Sequence, residues 1–225
     1  IMALFARLDL GAQTAAVLFD IANPYSRDIA AVFKETFERD GGQVVAFESY
    51  TSDEQDFTSQ LARIHNQQPD ILVLPNFSDP ALLQAQQARQ MGITARLLGA
   101  DGWDWREFRE LPEFEGSFMT ANYSQDLDSE RNRTFVEQYY IQFQTEPGDT
   151  AALTYDAFGI LFQAIQSQGK ADPLSIRDGL YALDPYQGVS GQIDFRENGD
   201  PVKSVVILQL KDGQVTFYEL IAPSE

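Results

Sequence analysis

The chain has 225 residues, 34 acidic against 16 basic side chains, a formal charge of −18, one histidine and no cysteine. With 44% hydrophobic residues it can bury the core of one large domain or two small ones, so it is no acidic disordered tail. The lack of cysteine excludes disulfides, thiolate zinc sites and cysteine nucleophiles, and so negative a field repels phosphate backbones and anionic lipid headgroups, which removes nucleic acid and membrane surfaces as partners.

The opening run Ile1-Met2-Ala3-Leu4-Phe5 does not read as a secretory signal, because Arg7 and Asp9 interrupt it and no small-residue cleavage site follows. Leu4, Phe5 and Leu8 recur at helical spacing and Gly11 supplies a stop, which predicts an amphipathic helix over 1–10. Strands and helices then alternate. Strands are expected at 14–19, 44–47, 71–74 and 96–99. Helices are expected at 26–39, where Ile29, Phe33 and Phe37 share a face, at 54–67, where Phe57, Leu61 and Ile64 do, and at 79–91. Short apolar runs separated by helices of this length give a parallel sheet covered on both faces, with right-handed crossovers.

From Gly116 the pattern changes. Residues 116–123 read as one extended segment, followed by helices at 129–144, 150–168 and 173–183, with Gly169 and Pro173 punctuating the last two. The tail from Gly188 is all β, with strands at 192–195, 205–210 and 215–220 and a Lys211-Asp212-Gly213 hairpin turn. The helical block offers apolar faces with little sheet to cover.

Enzymatic readings find few residues to stand on. Asp20 ends the first strand, as the nucleophile of some phosphoryl-transfer proteins does, but the second aspartate expected two positions on is Ala22. No glycine-rich dinucleotide fingerprint and no GxSxG elbow is present. His65 lies on a polar helix beside Asn66 and Gln67 and reads as a solvated surface residue, so no imidazole remains for a triad or a metal site, and no cofactor is expected. Asn76, Asn122 and Asn132 begin glycosylation tripeptides, a pattern common by chance.

Binding is the better-supported chemistry. In open parallel sheets, ligands sit beyond the carboxyl ends of the strands. Tyr25 follows the first strand, Phe77 the third, and Asp101 the fourth, in Gly99-Ala100-Asp101-Gly102-Trp103. Two aromatic rings and a carboxylate facing one crevice suit an organic ammonium, through a charge-assisted hydrogen bond and cation–π attraction. Each residue alone also has a plain reading: the aromatics as loop anchors, Asp101 as a turn former.

The run Leu10-Gly11-Ala12-Gln13-Thr14 through Asp20, the motifs Pro24-Tyr25-Ser26-Arg27 and Pro69-Asp70-Ile71-Leu72, Gln87-Ala88-Arg89 with Gly92, Thr154-Tyr155-Asp156-Ala157, and Gly191-Gln192-Ile193-Asp194-Phe195 form an ordered series over nearly the whole chain. The series resembles the type I periplasmic binding proteins of branched-chain amino-acid ABC transporters, the leucine/isoleucine/valine-binding group. The resemblance implies a non-enzymatic, cofactor-free solute-binding component of an ABC importer, periplasmic or on the cell surface, that binds an amino acid or similar small solute between two α/β lobes and works with permease subunits. A ligand-sensing domain of a receptor with the same fold is the alternative. It further implies that Tyr25 and Phe77, the latter where the family often carries tyrosine, flank the ligand, that Asp101 holds its α-ammonium, and that Trp103 borders its side chain.

Against that family the chain is short of the first lobe's leading strands. On this reading 1–115 with 186–225 form lobe two, a three-layer α/β/α lobe, and 116–185 a partial lobe one. Two expectations follow: weak binding, because half of the polar site lies in the family's leading third, and self-association through the exposed helices of 116–185, which a dilution series would reveal.

Overall fold

In the computed structural model, which describes residues 1–222, the short apolar runs become the centre of one sheet. Strands β1 (Thr14–Asp20), β3 (Ile71–Val73) and β4 (Arg96–Gly99) are buried along almost their whole length, as strands covered on both faces must be. Strand β2 (Gln43–Tyr50) lies at one edge and is only partly buried. With β5 (Phe118–Ala121), β9 (Val205–Lys211) and β10 (Gln214–Ile221) they form a seven-stranded sheet in the order β10-β9-β5-β4-β3-β1-β2. The pairs β1–β2, β1–β3, β3–β4 and β4–β5 are all parallel. The turn between β9 and β10 is the expected Asp212-Gly213, both at positive φ (53° and 70°), the conformation of a type I′ hairpin.

Helices α2 (Pro24–Arg39), α3 (Thr58–Gln67) and α4 (Ser78–Gln90) join the parallel strands. Their buried faces are those given by the periodicity: Phe33 and Phe37 on α2, Leu61 and Ile64 on α3. Helix α1 (Met2–Leu8) is shorter than expected but buries Phe5, whose ring packs edge-on against Phe118 and Tyr218. Asp70, just before β3, accepts hydrogen bonds from the amides of Gln13 and Thr14 and from the Thr14 hydroxyl at 2.8–2.9 Å, closing the amino end of β1. The Thr14 amide, followed by the Gln13 amide and the Thr14 hydroxyl, holds the Asp70 carboxyl below its ordinary value of 3.8, against a smaller upward push from burial. A carboxyl depressed in the folded state contributes stability that is present above its unfolded value and lost as pH falls through the folded one. Asp70→Asn is therefore expected to lower stability at neutral pH and to flatten the acid limb of a stability–pH curve below about pH 4, so that the deficit shrinks as pH falls, as read by urea unfolding at stepped pH.

The chain divides into two compact units, Ile1–Thr120 with Ile207–Tyr218 and Ala121–Val206 with Glu219–Glu225. The second contains α6 (Glu130–Phe143), α7 (Asp149–Gln168), α8 (Pro173–Tyr181) and an antiparallel sheet of β6 (Tyr186–Gly188), β7 (Gly191–Phe195) and β8 (Pro201–Lys203). The sequence reading grouped residues 186–206, with a single strand at 192–195, with the larger unit. Here Tyr186 and Ile193 instead pack on Ile160 of α7, with Leu180 and Leu183 beside them. The helices of this unit also expose large apolar side chains, among them Ile141, Phe143, Phe158 and Phe162. Four short elements escaped the sequence reading: α5 (Trp105–Phe108), a 3-10 turn at Pro112–Phe114, β6 and β8. None spans enough residues for a periodicity to show.

Candidate functional site

The strand order places a switch point between β1 and β3: the chain leaves β1 towards β2 on one side and leaves β3 towards β4 on the other. Loops diverging from neighbouring strand ends open a crevice at the carboxyl edge, the usual ligand position in such sheets. Tyr25 and Phe77 stand on either side of that point, and Asp101 follows the next strand, β4.

Local sequence sets each position. Asn23 caps α2, its side chain accepting from the Tyr25 amide at 3.0 Å, and Pro24 occupies the first helical turn, where its missing N–H costs nothing. Tyr25 is thereby held at the mouth of α2, half-buried. Phe77 is the extended residue before α4 and is 52% exposed. Its ring stacks on that of Tyr25 with centroids 5.0 Å apart and planes 16° from parallel. Asp101 is exposed in the turn after β4. The Tyr25 hydroxyl donates to Asp101 Oδ1 at 2.7 Å and accepts from the Gly102 amide, also at 2.7 Å. Burial, then the bond to Asp101 and its charge, push the Tyr25 phenol well above its usual 10, so it is a neutral donor at any physiological pH. The structure thus brings three of the sequence-predicted residues together: two stacked rings and a carboxylate fixed by a phenol.

The fourth lies elsewhere. Trp103 is only 2% exposed; its indole N–H donates to the Leu74 carbonyl at 3.1 Å, and its ring meets Phe108 and Phe114 edge-on at 5.1 and 5.2 Å. Trp103 supports the loop that carries Asp101 from beneath rather than lining a surface that a solute could touch.

Beneath the rings lies a buried network that the sequence reading did not find. Asn76, 2% exposed, donates to the Leu18 carbonyl at 3.0 Å and to Gln84 Oε1 at 2.8 Å, and accepts from the Ser26 hydroxyl at 2.7 Å. Ser26 in turn accepts from the Asp20 amide at 2.9 Å, and Ser78 Oγ accepts from the Asp104 amide at 2.8 Å. The loops after β1, β3 and β4 are laced into one frame. Burial of Asn76, and of Asn132 at 0% exposure, also empties the glycosylation pattern at both positions. The only signal for the network was polar residues clustered between apolar runs, which a solvated loop gives equally. Gly102 belongs to the frame through lack of bulk: a Cβ there would sit 2.8 Å from the Tyr25 oxygen and 3.2 Å from the Asn76 carbonyl. Gly102→Ala is accordingly expected to break the Tyr25–Asp101 bond at a cost of about 1–2 kcal/mol of stability, seen as a lowered urea midpoint and a shifted Tyr25 ring resonance.

Beside the rings a cavity of about 450 Å3 opens at the ends of β1, β2 and β3. Its walls include the carboxylates of Asp20, Glu54 and Asp79 and the rings of Tyr50, Phe57 and Phe77. The Asp20 carboxylate accepts from the Ala22 amide at 2.9 Å and the Ser52 hydroxyl at 2.5 Å, an arrangement among acids that repels phosphate. Among the described residues no three histidine, aspartate or glutamate side chains are placed to hold a metal ion, and no helix is long and apolar enough to cross a membrane. His65 is exposed on α3, as its polar neighbours predicted.

Residues 2–214 match the profile of a family described as periplasmic binding protein. A leucine-, isoleucine-, valine-, threonine- and alanine-binding protein of Pseudomonas aeruginosa is 24% identical over 208 residues, covering 92% of this chain and 53% of that protein. Among solved structures, a leucine binding protein LivK from Thermotoga maritima superposes with a TM-score of 0.91 at 34% identity, covering 99% of this chain and 64% of that one. The branched-chain amino acid transporter substrate-binding protein LivJ of Streptococcus pneumoniae, solved with isoleucine, gives 0.84 at 25% identity over 99% and 64%. The chain spans between half and two thirds of the length of these relatives.

Proposed function

Because this chain belongs to the periplasmic binding protein family, a family of binding proteins rather than enzymes, we propose that it serves as the substrate-binding component of a branched-chain amino-acid ABC importer. The observation that carries the reading is the Tyr25–Asp101 hydrogen bond at the switch point of the sheet. It fixes an exposed carboxylate beside two aromatic faces, the chemistry that an α-ammonium needs. The bound ligands of the relatives support the ligand class: LivJ of S. pneumoniae was solved with isoleucine, and the P. aeruginosa protein is named for five small amino acids. The same reading gives it an extracytoplasmic location and permease subunits as partners.

The trio supplies one wall and one charge-assisted contact, and none of its three side chains is a cation that could pair with the ligand's carboxylate. Leucine is therefore expected to bind this chain in the millimolar rather than the micromolar range. A titration followed by amide resonances tests both points. Leucine should move Gly102 and its neighbours saturably, and Asp101→Ala should reduce the affinity at least about tenfold. Unchanged leucine binding by Asp101→Ala would take that residue out of the site, and micromolar binding by the chain itself would overturn the single-wall account.

A further inference from the structure

Asp101 is followed directly by Gly102, and that dipeptide carries a chemistry of its own. Glycine has no Cβ to shield its amide nitrogen, so a preceding aspartate can be attacked by its own backbone. The Gly102 nitrogen forms a bond to Asp101 Cγ, and a carboxyl oxygen leaves as water with the amide proton, which closes a succinimide ring. Water then opens the ring. Addition at Cγ breaks the new bond and restores aspartate. Addition at the Asp101 main-chain carbonyl breaks the original peptide bond instead and leaves isoaspartate, with an extra methylene in the backbone and a side chain shorter by a methylene.

The fold holds both reacting groups. The Trp103 amide donates to the Ala100 carbonyl at 3.1 Å and closes the turn that contains the dipeptide. The Gly102 amide, the nucleophile, donates to the Tyr25 hydroxyl at 2.7 Å, and the same hydroxyl donates to Asp101 Oδ1, also at 2.7 Å. One phenol oxygen thus engages the amide and the carboxylate together, and ring closure waits for a local opening that releases both. Tyr25 is itself well anchored. Its amide is bonded to Asn23, its ring lies on Phe77, and a Cβ on Gly102 would sit 2.8 Å from its oxygen. The Asp212-Gly213 turn supplies a reference within the same unit: Asp212 is exposed, and the Gly213 amide reaches Glu115 Oε2 only at 3.3 Å, a weak bond by its length.

We propose that Asp101-Gly102 is a self-modification site which Tyr25 keeps closed, so that the folded loop forms isoaspartate only in the rare openings that break both bonds of the Tyr25 hydroxyl. Tyr25 is a positioning residue in this role. The reaction consumes and returns one water and needs no ligand, so it is independent of the amino-acid reading. Its consequence for binding does rest on that reading: isoaspartate takes the carboxylate away from the phenol that fixes it beside the aromatic faces.

The test is a long incubation at neutral pH in water enriched in oxygen-18, followed by peptide mapping, because each ring opening places a heavy oxygen in the residue. Tyr25→Phe keeps the stacked ring and removes the hydroxyl. It should accumulate isoaspartate at position 101 at least about tenfold faster than the parent chain, the effect of two lost hydrogen bonds on the opening. The rate at Asp212 should change less than about twofold. Unfolded in urea, where no bridge exists, both chains should isomerise at position 101 at one rate, and the folded parent should lie at least about tenfold below it. Equal folded rates in the two chains, a slower rate in Tyr25→Phe, or a parent as fast folded as unfolded would overturn the proposal. Equal acceleration at Asp212 would overturn it too, since that is general loosening of the fold. Leucine separates the two readings: chains carrying isoaspartate at position 101 should lose the saturable leucine response at Gly102. If they keep it, the ammonium role of Asp101 falls and the guarding role of Tyr25 stands.

Discussion

Asp156→Ala is expected to lower the unfolding free energy of the second unit by about 3–5 kcal/mol. The side chain lies on α7 with 0% exposure and accepts three hydrogen bonds, from the Val189 amide at 2.7 Å, the Ser190 amide at 2.9 Å and the Ser190 hydroxyl at 2.7 Å. A buried carboxylate is costly to desolvate, so its bonds must be good and complete, and here a helix is tied through them to the turn between β6 and β7. Gly188 is part of the arrangement, since a Cβ there would fall inside contact distance of the carboxylate. Truncation to alanine leaves two amides and a hydroxyl buried without an acceptor, each costing about 1–3 kcal/mol where nothing replaces it. The loss reaches Lys203 as well. Its ammonium donates to the Asn122 carbonyl at 2.5 Å and to Ser190 Oγ at 3.2 Å; burial lowers its pKa, and Asp149 and Asp156 push it back up. Without Asp156 the lysine keeps its burial and loses part of its compensation. Asp156→Asn, which keeps the shape and one acceptor oxygen, should cost less, about 2 kcal/mol. Amide hydrogen exchange provides the local check: Val189 and Ser190 should lose most of their protection in the alanine variant and part of it in the asparagine variant. Unchanged protection at those two amides would mean that the three bonds contribute nothing to the unit.

Asp156 also shows where sequence reading stops. In Thr154-Tyr155-Asp156-Ala157 the aspartate sits within an apolar helix, a position where a charge is expected to face solvent. Only the tertiary position of a turn more than thirty residues later explains it. The parallel sheet was legible because each strand is a continuous apolar run and each crossover helix repeats its apolar face at i and i+4, both of them local signals. Tyr25, Phe77 and Asp101 were legible for a related reason: each follows a recognisable strand, and strand ends are where such sheets place ligands. The support beneath them was not. Ser26, Asn76 and Gln84 meet across separations of 50 and 8 residues, and their pairing depends on the register of β1 against β3. The antiparallel strands β6 and β8 have three residues each, too few for an alternation to be distinguished from a loop.

Trp103 is the residue on which sequence and structure diverge most, and its two substitutions are expected to separate support from contact. Trp103→Ala removes a nearly fully buried indole packed against Phe108 and Phe114, which themselves stack at 4.1 Å, and it leaves the Leu74 carbonyl without its donor. The transfer and cavity terms together predict a loss of about 3–5 kcal/mol, with a large drop in the urea midpoint. Gly99 carries no side chain that could take up the vacated space, and a Cβ there would collide with the indole ring in the native packing. Trp103→Phe keeps most of the apolar ring but not the N–H, and should cost about 1–2 kcal/mol. A Trp103→Phe protein that is folded at 25 °C should keep the leucine affinity proposed above within about twofold, because the ring is buried beneath the loop of Asp101. Had the indole lined the pocket, the same substitution would change the preference among leucine, phenylalanine and larger solutes while leaving stability nearly untouched. Parallel unfolding and binding titrations therefore assign the role: loss of stability with constant selectivity identifies a support, and altered selectivity with constant stability would overturn that assignment.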